Sequence, residues 1–273
     1  MSTTDPTPPA RPGSSSQPGP AVAIVTIANP AVRNALDDRA RRQLLQDVTA
    51  AAASPATVIV LRGDAGTFCS GADLRSIRTD DASYLRTRLT EMQTIVRTLR
   101  GAPQVVVAAV DGFAIGSGLA LAAASDLVVA AEDATFGATF GRVGLTGDSG
   151  IFWTLPERIG AAATRRLLLL AEAIDGAEAL RLGLVDALTQ AEDVQTTALA
   201  WADRLAQLSP AGLQATKRLV TLRPSTFEES LRAELHEQEV LMVGPGFAEG
   251  RSAFLERRTP TFPPADRHPP GVA

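Results

Sequence analysis

One stretch limits what this chain can fold into more than any other. Residues 104–110 are a Val- and Ala-rich run, and residues 111–118 (Asp111-Gly112-Phe113-Ala114-Ile115-Gly116-Ser117-Gly118) are punctuated by three glycines. Small apolar residues follow at 119–124, then a second apolar run at 127–131. A short apolar run bounded by turn residues reads as a buried strand. Two such runs separated by a glycine-rich turn and a compact apolar segment predict strands alternating with helices. The fold class is therefore α/β with crossover connections.

The flanking sequence agrees. Residues 21–28 are apolar, rich in Val and Ile, and end at the turn pair Asn29-Pro30; residues 57–62 form another apolar run, followed by a loop at 63–71. Helical spacing covers 36–53, with Asp37 and Asp38 where carboxylates favour the helix dipole, and also 84–99. Beyond Gly150 the pattern is mostly helical, with helices expected at 226–243 and 247–258. Residues 1–20 are dominated by Pro, Ser, Thr and Gly and are expected to be disordered, because they cannot bury enough apolar surface to offset their ordering entropy. The tail from residue 260 is again Pro-rich, and no internal repeat is visible. The expected organisation is a disordered segment at 1–20, an α/β core at 21–205 and a helical region with a tail at 206–273.

Composition narrows the class of function. Of 273 residues 45% are hydrophobic and 21% charged, which suits a core-forming globular chain. A net charge of −4 argues against a nucleic-acid footprint or a polybasic membrane patch. The one cysteine, Cys69, excludes an internal disulfide and fits a reducing cytoplasm. The N-terminus has neither the charged nor the apolar region of a signal peptide. The longest apolar stretch, 105–131, is interrupted by Asp111 and Asp126 and is not read as a membrane span. The two histidines, His236 and His268, are not clustered with other ligand types, so no metal site is expected.

Two glycine-bounded loops follow predicted strands: Phe68-Cys69-Ser70-Gly71-Ala72-Asp73-Leu74 and residues 112–118. Small residues let backbone N–H groups approach a ligand without side-chain obstruction. Two N–H groups aimed at one oxygen form an oxyanion hole, in which one donor is worth about 3–4 kcal/mol in the transition state. Read from the residues alone, the same loops are more often plain tight turns.

These loops resemble, in order and register, the two oxyanion loops of the crotonase (enoyl-CoA hydratase/isomerase) superfamily. Asn29-Pro30 with Arg33-Asn34-Ala35-Leu36 resembles the family's entry motif, and Phe254-Leu255-Glu256-Arg257-Arg258 its C-terminal helix motif. The likeness runs from about residue 21 to residue 262. It implies a repeated ββα spiral core with a helical C-terminal trimerisation region, giving a homotrimer or a dimer of trimers. It implies acyl-CoA as substrate, with coenzyme A brought in by the substrate and no separate cofactor. The Ala72 and Ser117 N–H groups would hold the thioester oxygen, Ser117 standing where the family has glycine. Ala31, Val32 and Arg33, with Ala72, Asp73 and Leu74, would face the CoA nucleotide. Phe254 and Arg257 would reach the CoA of a neighbouring subunit.

The chain departs from the family's hydratases at both carboxylates. Ala120 stands at the first glutamate position and Phe140 at the second. Water addition needs a base for water and an acid for the α-carbon. One acid remains, Asp148, at a position matching the catalytic acid of the family's isomerase branches; Phe152 and Trp153 also resemble that group. The resemblance therefore implies an acyl-CoA double-bond isomerase, with Asp148 as general acid/base and Ala120, Phe140, Phe152 and Trp153 around the acyl chain. From the residues alone Asp148 reads first as a helix N-cap. A hydratase or acyl-CoA hydrolase using another acid such as Asp80, and an acyl-CoA-binding paralogue without chemistry, are the alternatives. Asp73 reads as a helix-start carboxylate, and Cys69 as a small buried residue before a nucleophile.

Overall fold

The computed structural model describes residues 21–265. The disorder expected at 1–20, and His268, lie outside the described residues. In chain order the strands are β1 (Val22–Ile27), β2 (Val58–Gly63), β3 (Val105–Val110), β4 (Phe113–Ile115), β5 (Leu127–Ala131), β6 (Thr135–Gly137), β7 (Ala173–Asp175) and β8 (Ala187–Thr189). The helices are α1 (Asp38–Ala53), α2 (Ala82–Gly101), α3 (Ser117–Ala124), α4 (Ile151–Leu169), α5 (Gly176–Leu182), α6 (Val194–Ala206), α7 (Pro210–Leu222), α8 (Phe227–Met242) and α9 (Pro245–Glu256).

Five strands form one parallel sheet in the order β1-β2-β3-β5-β8. All six residues of β3 are buried, which is why its sequence shows no alternation: both faces are covered. The second sheet, β4-β6-β7, is short, with β6 and β7 antiparallel. Single-residue bridges Leu36–Ala72 and Cys69–Ala114 continue this second layer toward the N-terminus. The unit β3-β4-α3 is followed by β5-β6-α4, so the ββα rhythm repeats along the chain.

α3 sits inside the molecule. All eight of its residues are buried, and its Ala and Leu side chains meet protein on every side. Hydroxyl and carboxylate caps set other helix starts: Asp37 accepts from Ala40 N at 2.7 Å, Asp81 from Tyr84 N at 2.9 Å, and Thr226 forms a capping box with Glu229. Lys217 fastens α7 to the core. Its Nζ donates to Leu99 O (3.0 Å) and Gln104 O (2.8 Å) and pairs with Asp126 at 2.8 Å.

The region after residue 150 is mostly helical, as expected; β7 and β8 are inserted in it, each only three residues, too short for a periodic signal. One expectation needs correction. Asp148 is not a helix cap. α4 starts at Ile151 with Gly150 as its N-cap, and no side chain caps it.

Candidate active site

The entry segment and the first loop are bound to one another. Asn34 is fully buried with φ 56°; its Oδ1 accepts from Asn29 N at 2.8 Å, and its Nδ2 donates to Asp64 O at 2.8 Å and to Thr67 O. Asparagine suits this place because its short amide tolerates left-handed backbone and bonds local peptide groups. Ser70 N donates to Arg33 O at 3.1 Å and Ser70 Oγ to Val32 O at 3.2 Å. Ala31, Val32 and Arg33 are thereby brought beside the 70–74 segment. The Arg33 guanidinium lies over the Phe113 ring, 5.2 Å from its centroid. Asp73 is a start carboxylate as expected, accepting from Arg75 N at 3.1 Å. Leu74 is 51% exposed.

The two loops meet. Phe68 N donates to Asp111 O (2.8 Å), Cys69 N to Phe113 O (2.7 Å), and Ile115 N to Cys69 O (3.0 Å). A Cβ built on Gly71 would lie 2.8 Å from Ile115 O and 3.9 Å from Ser117 N. A Cβ on Gly118 would lie 2.2 Å from Cys69 O. Glycine at both positions is thus a condition of the two loops lying this close.

The orientation of the two N–H groups follows from local bonding. Leu36 N donates to Gly71 O (2.8 Å) and Asp73 N to Leu36 O (3.2 Å). In an extended segment alternate peptide groups point to opposite sides, so the Ala72 N–H turns away from Leu36. Ser117 is the first residue of α3, after Gly116 at φ 56°, ψ −112°, and a first-turn N–H has no intrahelical acceptor. Among the described residues neither the Ala72 nor the Ser117 N–H has a hydrogen-bond acceptor. The positive end of the α3 dipole adds to the attraction for a developing oxyanion.

Phe140 lies in the turn after β6. A Cβ on Gly116 would sit 3.7 Å from Phe140 Cε1, so the ring edge borders the second loop. Leu145 N donates back to Phe140 O at 3.1 Å, folding 140–145 into the turn that leads to Asp148. Ser149 (φ 54°) and Gly150 (φ 76°) are both left-handed, and a non-glycine residue held there is a local strain of the kind that clusters at functional positions. Asp148 is half-buried and its Oδ1 accepts from Ser149 Oγ at 3.0 Å. Burial pushes its carboxyl above the usual aspartate value, against the Ser149 bond, the Arg88 charge and a bond to its own backbone.

The other expected pocket residues divide. Phe152 and Trp153, in the first turn of α4, are 59% and 56% exposed, and Arg223 lies over the Trp153 ring at 4.7 Å. Ala120 is fully enclosed in the core and presents no surface to a ligand. Phe254, 82% exposed, and Arg257, the left-handed C-cap, end α9, which packs on α7 and α8. Asp80 is exposed. Among the described residues no helix is long and apolar enough to cross a membrane.

Cys69 is fully buried, and desolvation raises its thiol to about 12. A thiol of that kind is not a nucleophile near neutral pH. A disulfide reagent should therefore label Cys69 only at the rate of global unfolding; rapid native-state labelling would contradict this placement.

Sequence reasoning missed the buried arginines of α1 and α2. Arg41 is 2% and Arg88 6% exposed, and both pair with Asp38. Arg41 also bonds Glu91 at 2.6 Å. The signal was present: arginine on the apolar stripe of an amphipathic helix needs a buried partner.

The comparisons bear on this geometry directly. The description of the enoyl-CoA hydratase/isomerase family matches residues 18–264. A Rhodobacter capsulatus protein named "probable enoyl-CoA hydratase" is 35% identical, covering 88% of this chain and 94% of its own. The 2,3-dehydroadipyl-CoA hydratase of Escherichia coli is 34% identical over the same shares. The crystal structure of an enoyl-CoA hydratase from Polaromonas sp. JS666 superposes with a TM-score of 0.84 at 30% identity, covering 92% of this chain and 99% of that one. With its β-layers, helix order and paired loops accounted for, this chain belongs to the enoyl-CoA hydratase/isomerase family and has the crotonase fold.

Proposed function

We propose that this enzyme moves a carbon–carbon double bond in an acyl-CoA thioester, with Asp148 as the acid/base and the Ala72 and Ser117 N–H groups as the oxyanion hole. The observation that carries the reading is a half-buried carboxylate of raised proton affinity, on the turn that also carries Phe140 past the second loop. In the forward direction the Asp148 carboxylate takes a proton from the α-carbon of a 3-enoyl thioester. The C–H electron pair moves into the thioester as a dienolate, whose oxygen the two N–H groups stabilise. The same carboxyl then returns the proton to the γ-carbon, leaving the 2-enoyl thioester. No water is consumed, and one group serves both transfers if solvent is kept away.

The CoA portion is assigned to the segment 31–33, where Arg33 offers a phosphate-binding guanidinium, and to 72–74. The assembly is read as a homotrimer or a dimer of trimers, with Phe254 and Arg257 meeting a neighbour's CoA. Support comes from the C-terminal helices, where Val243 (88%), Phe254 and Leu255 (63%) stand in solvent and α8 buries no residue.

The names of the relatives favour a second reading, hydration. Supplying 3-hexenoyl-CoA and following the conjugated-thioester absorbance separates the two. A rise in absorbance, with no loss from crotonyl-CoA under the same conditions, is the expected result. Rapid loss from crotonyl-CoA would install the hydratase reading, and release of free CoA thiol a hydrolase. Binding with neither turnover nor exchange of α-protons into deuterated water would mark a silent paralogue.

A further inference from the structure

Arg88 is a buried cation that the proposed chemistry does not use. Arg88 projects from α2 into the space behind the first loop, with 8% of its side chain exposed. Its two terminal nitrogens are committed in different directions. Nη1 donates to Asp38 Oδ1 at 2.9 Å, and Nη2 to the Leu36 carbonyl at 2.7 Å. That carbonyl is the one that also accepts from Asp73 N, while the Leu36 N–H holds Gly71 O. The Leu36 N–H and C=O together thus clamp residues 71–73, and Arg88 holds the carbonyl from behind.

The anchor of Arg88 is itself fixed. Asp38 Oδ1 also receives Arg41 Nη1 at 2.8 Å and the Tyr84 hydroxyl at 2.9 Å, and Arg41 Nε bonds Glu91 at 2.6 Å. Two arginines and two carboxylates balance in charge, so burying the group strands no net charge. A planar guanidinium serves the carboxylate and the carbonyl from two nitrogens held in a set geometry; an ammonium would have to reach both partners from one atom.

α2 also packs against the Asp148 turn. A Cβ on Gly150 would sit 3.5 Å from Val96 Cγ1, two helical turns along from Arg88. The positive charge of Arg88 favours the ionised form of Asp148. On α4, Glu157 is held by Arg100 and Arg223, and Arg158 by Asp186. Arg142, on the preceding turn, is bound to Ala171 O. Ser149 supplies the remaining polar contact.

We propose that Arg88 is a positioning residue of the thioester site, fixing the Ala72 N–H through the Leu36 carbonyl while its charge acts on the Asp148 carboxylate from helix α2. The second half rests on the isomerase reading; the first needs only that the two N–H groups receive a thioester oxygen. The two halves separate in one pair of variants. Arg88→Lys keeps the charge and loses the fork. Arg88→Gln loses both.

The test uses the full chain and two readouts. The first is the absorbance of bound 4-dimethylaminocinnamoyl-CoA, whose band moves to longer wavelength when its carbonyl is polarised. Both variants are expected to lose at least about half of the wild-type red shift, with kcat for 3-hexenoyl-CoA down about 10–100-fold from displacement of one donor. The second readout is the pH profile of kcat. Isomerisation rises as Asp148 ionises; removing a positive charge that favours ionisation makes it harder, so in Arg88→Gln the rising limb moves to higher pH. In Arg88→Lys it stays in place. A buried arginine that only stabilised the fold would lower Tm and leave both readouts unmoved in the folded fraction, and that result overturns the proposal. If Arg88→Gln does not fold, a wild-type red shift in Arg88→Lys overturns it equally. An unmoved band in the wild-type protein removes the thioester site and this assignment together. A persistent pH limb in Asp148→Asn removes only the isomerase reading, and with it the second half.

Discussion

Asp148→Asn is expected to lower kcat for 3-enoyl-CoA isomerisation by about 10²–10⁴-fold, the usual contribution of a positioned acid/base, while KM stays close to wild type. The same change should leave the protein as stable as wild type or more so at neutral pH. The sign follows from the direction of the shift. The folded carboxyl has a higher proton affinity than the ordinary aspartate value of 3.8, so the unfolded chain holds the ionised form more favourably. The stability cost is absent below that value, grows as pH rises through the folded pKa, and is complete above it. Asparagine never ionises and keeps an oxygen to accept from Ser149 Oγ, so its advantage in Tm should be present at pH 7 and vanish near pH 3. Gain of stability with loss of activity is the signature of a group kept for chemistry rather than for packing. Melting curves at both pH values, beside steady-state kinetics, check it. A variant with full activity would remove Asp148 from the mechanism.

Gly71→Ala should be among the most damaging one-carbon changes near the site. Gly71 has φ +98°, and an added Cβ would lie 2.8 Å from the Ile115 carbonyl oxygen, a backbone atom that cannot swing aside. Backbone strain and overpacking together should cost about 3 kcal/mol or more. The relief available is to part the two loops, which would separate the Ala72 and Ser117 donors, and kcat should fall about 100-fold in whatever fraction still folds. Gly66→Ala is the control. Gly66 also has positive φ, +71°, but a Cβ there meets nothing within 4 Å. It should cost only about 1–2 kcal/mol and leave kcat intact. Urea unfolding and kinetics on both variants distinguish steric separation of the loops from backbone preference alone; equal kcat in the two would defeat the argument.

The sequence was most informative where residue type and conformation are tightly tied. β5 is read at its observed bounds, and β1, β2 and β3 to within a residue or two, because fully buried strands are long apolar runs with sharp turn residues at their ends. The loops were legible as glycine patterns, but their meeting was not. That depends on Cys69 pairing with Ala114, a contact between residues 45 apart that no local pattern encodes. β7 and β8 were lost because three residues carry no period. Asp148 was misread as a possible cap because aspartate before an apolar helix is the usual N-cap signature; the left-handed pair Ser149-Gly150 moved the helix start past it and released the carboxylate. Arg88 was passed over because a basic residue in a helix ordinarily faces water.

The interlock of Gly118 against the Cys69 carbonyl has a further meaning for how such a catalyst ages and varies. Because the backbone groups that would polarise the thioester belong to the same two crossings that seal the interior, no side-chain exchange removes those two donors themselves. They are displaced only when the framework that orients them shifts. New substrates and reactions can therefore be sampled by exchanging side chains around a permanent electrophilic cradle, at little risk to the cradle itself.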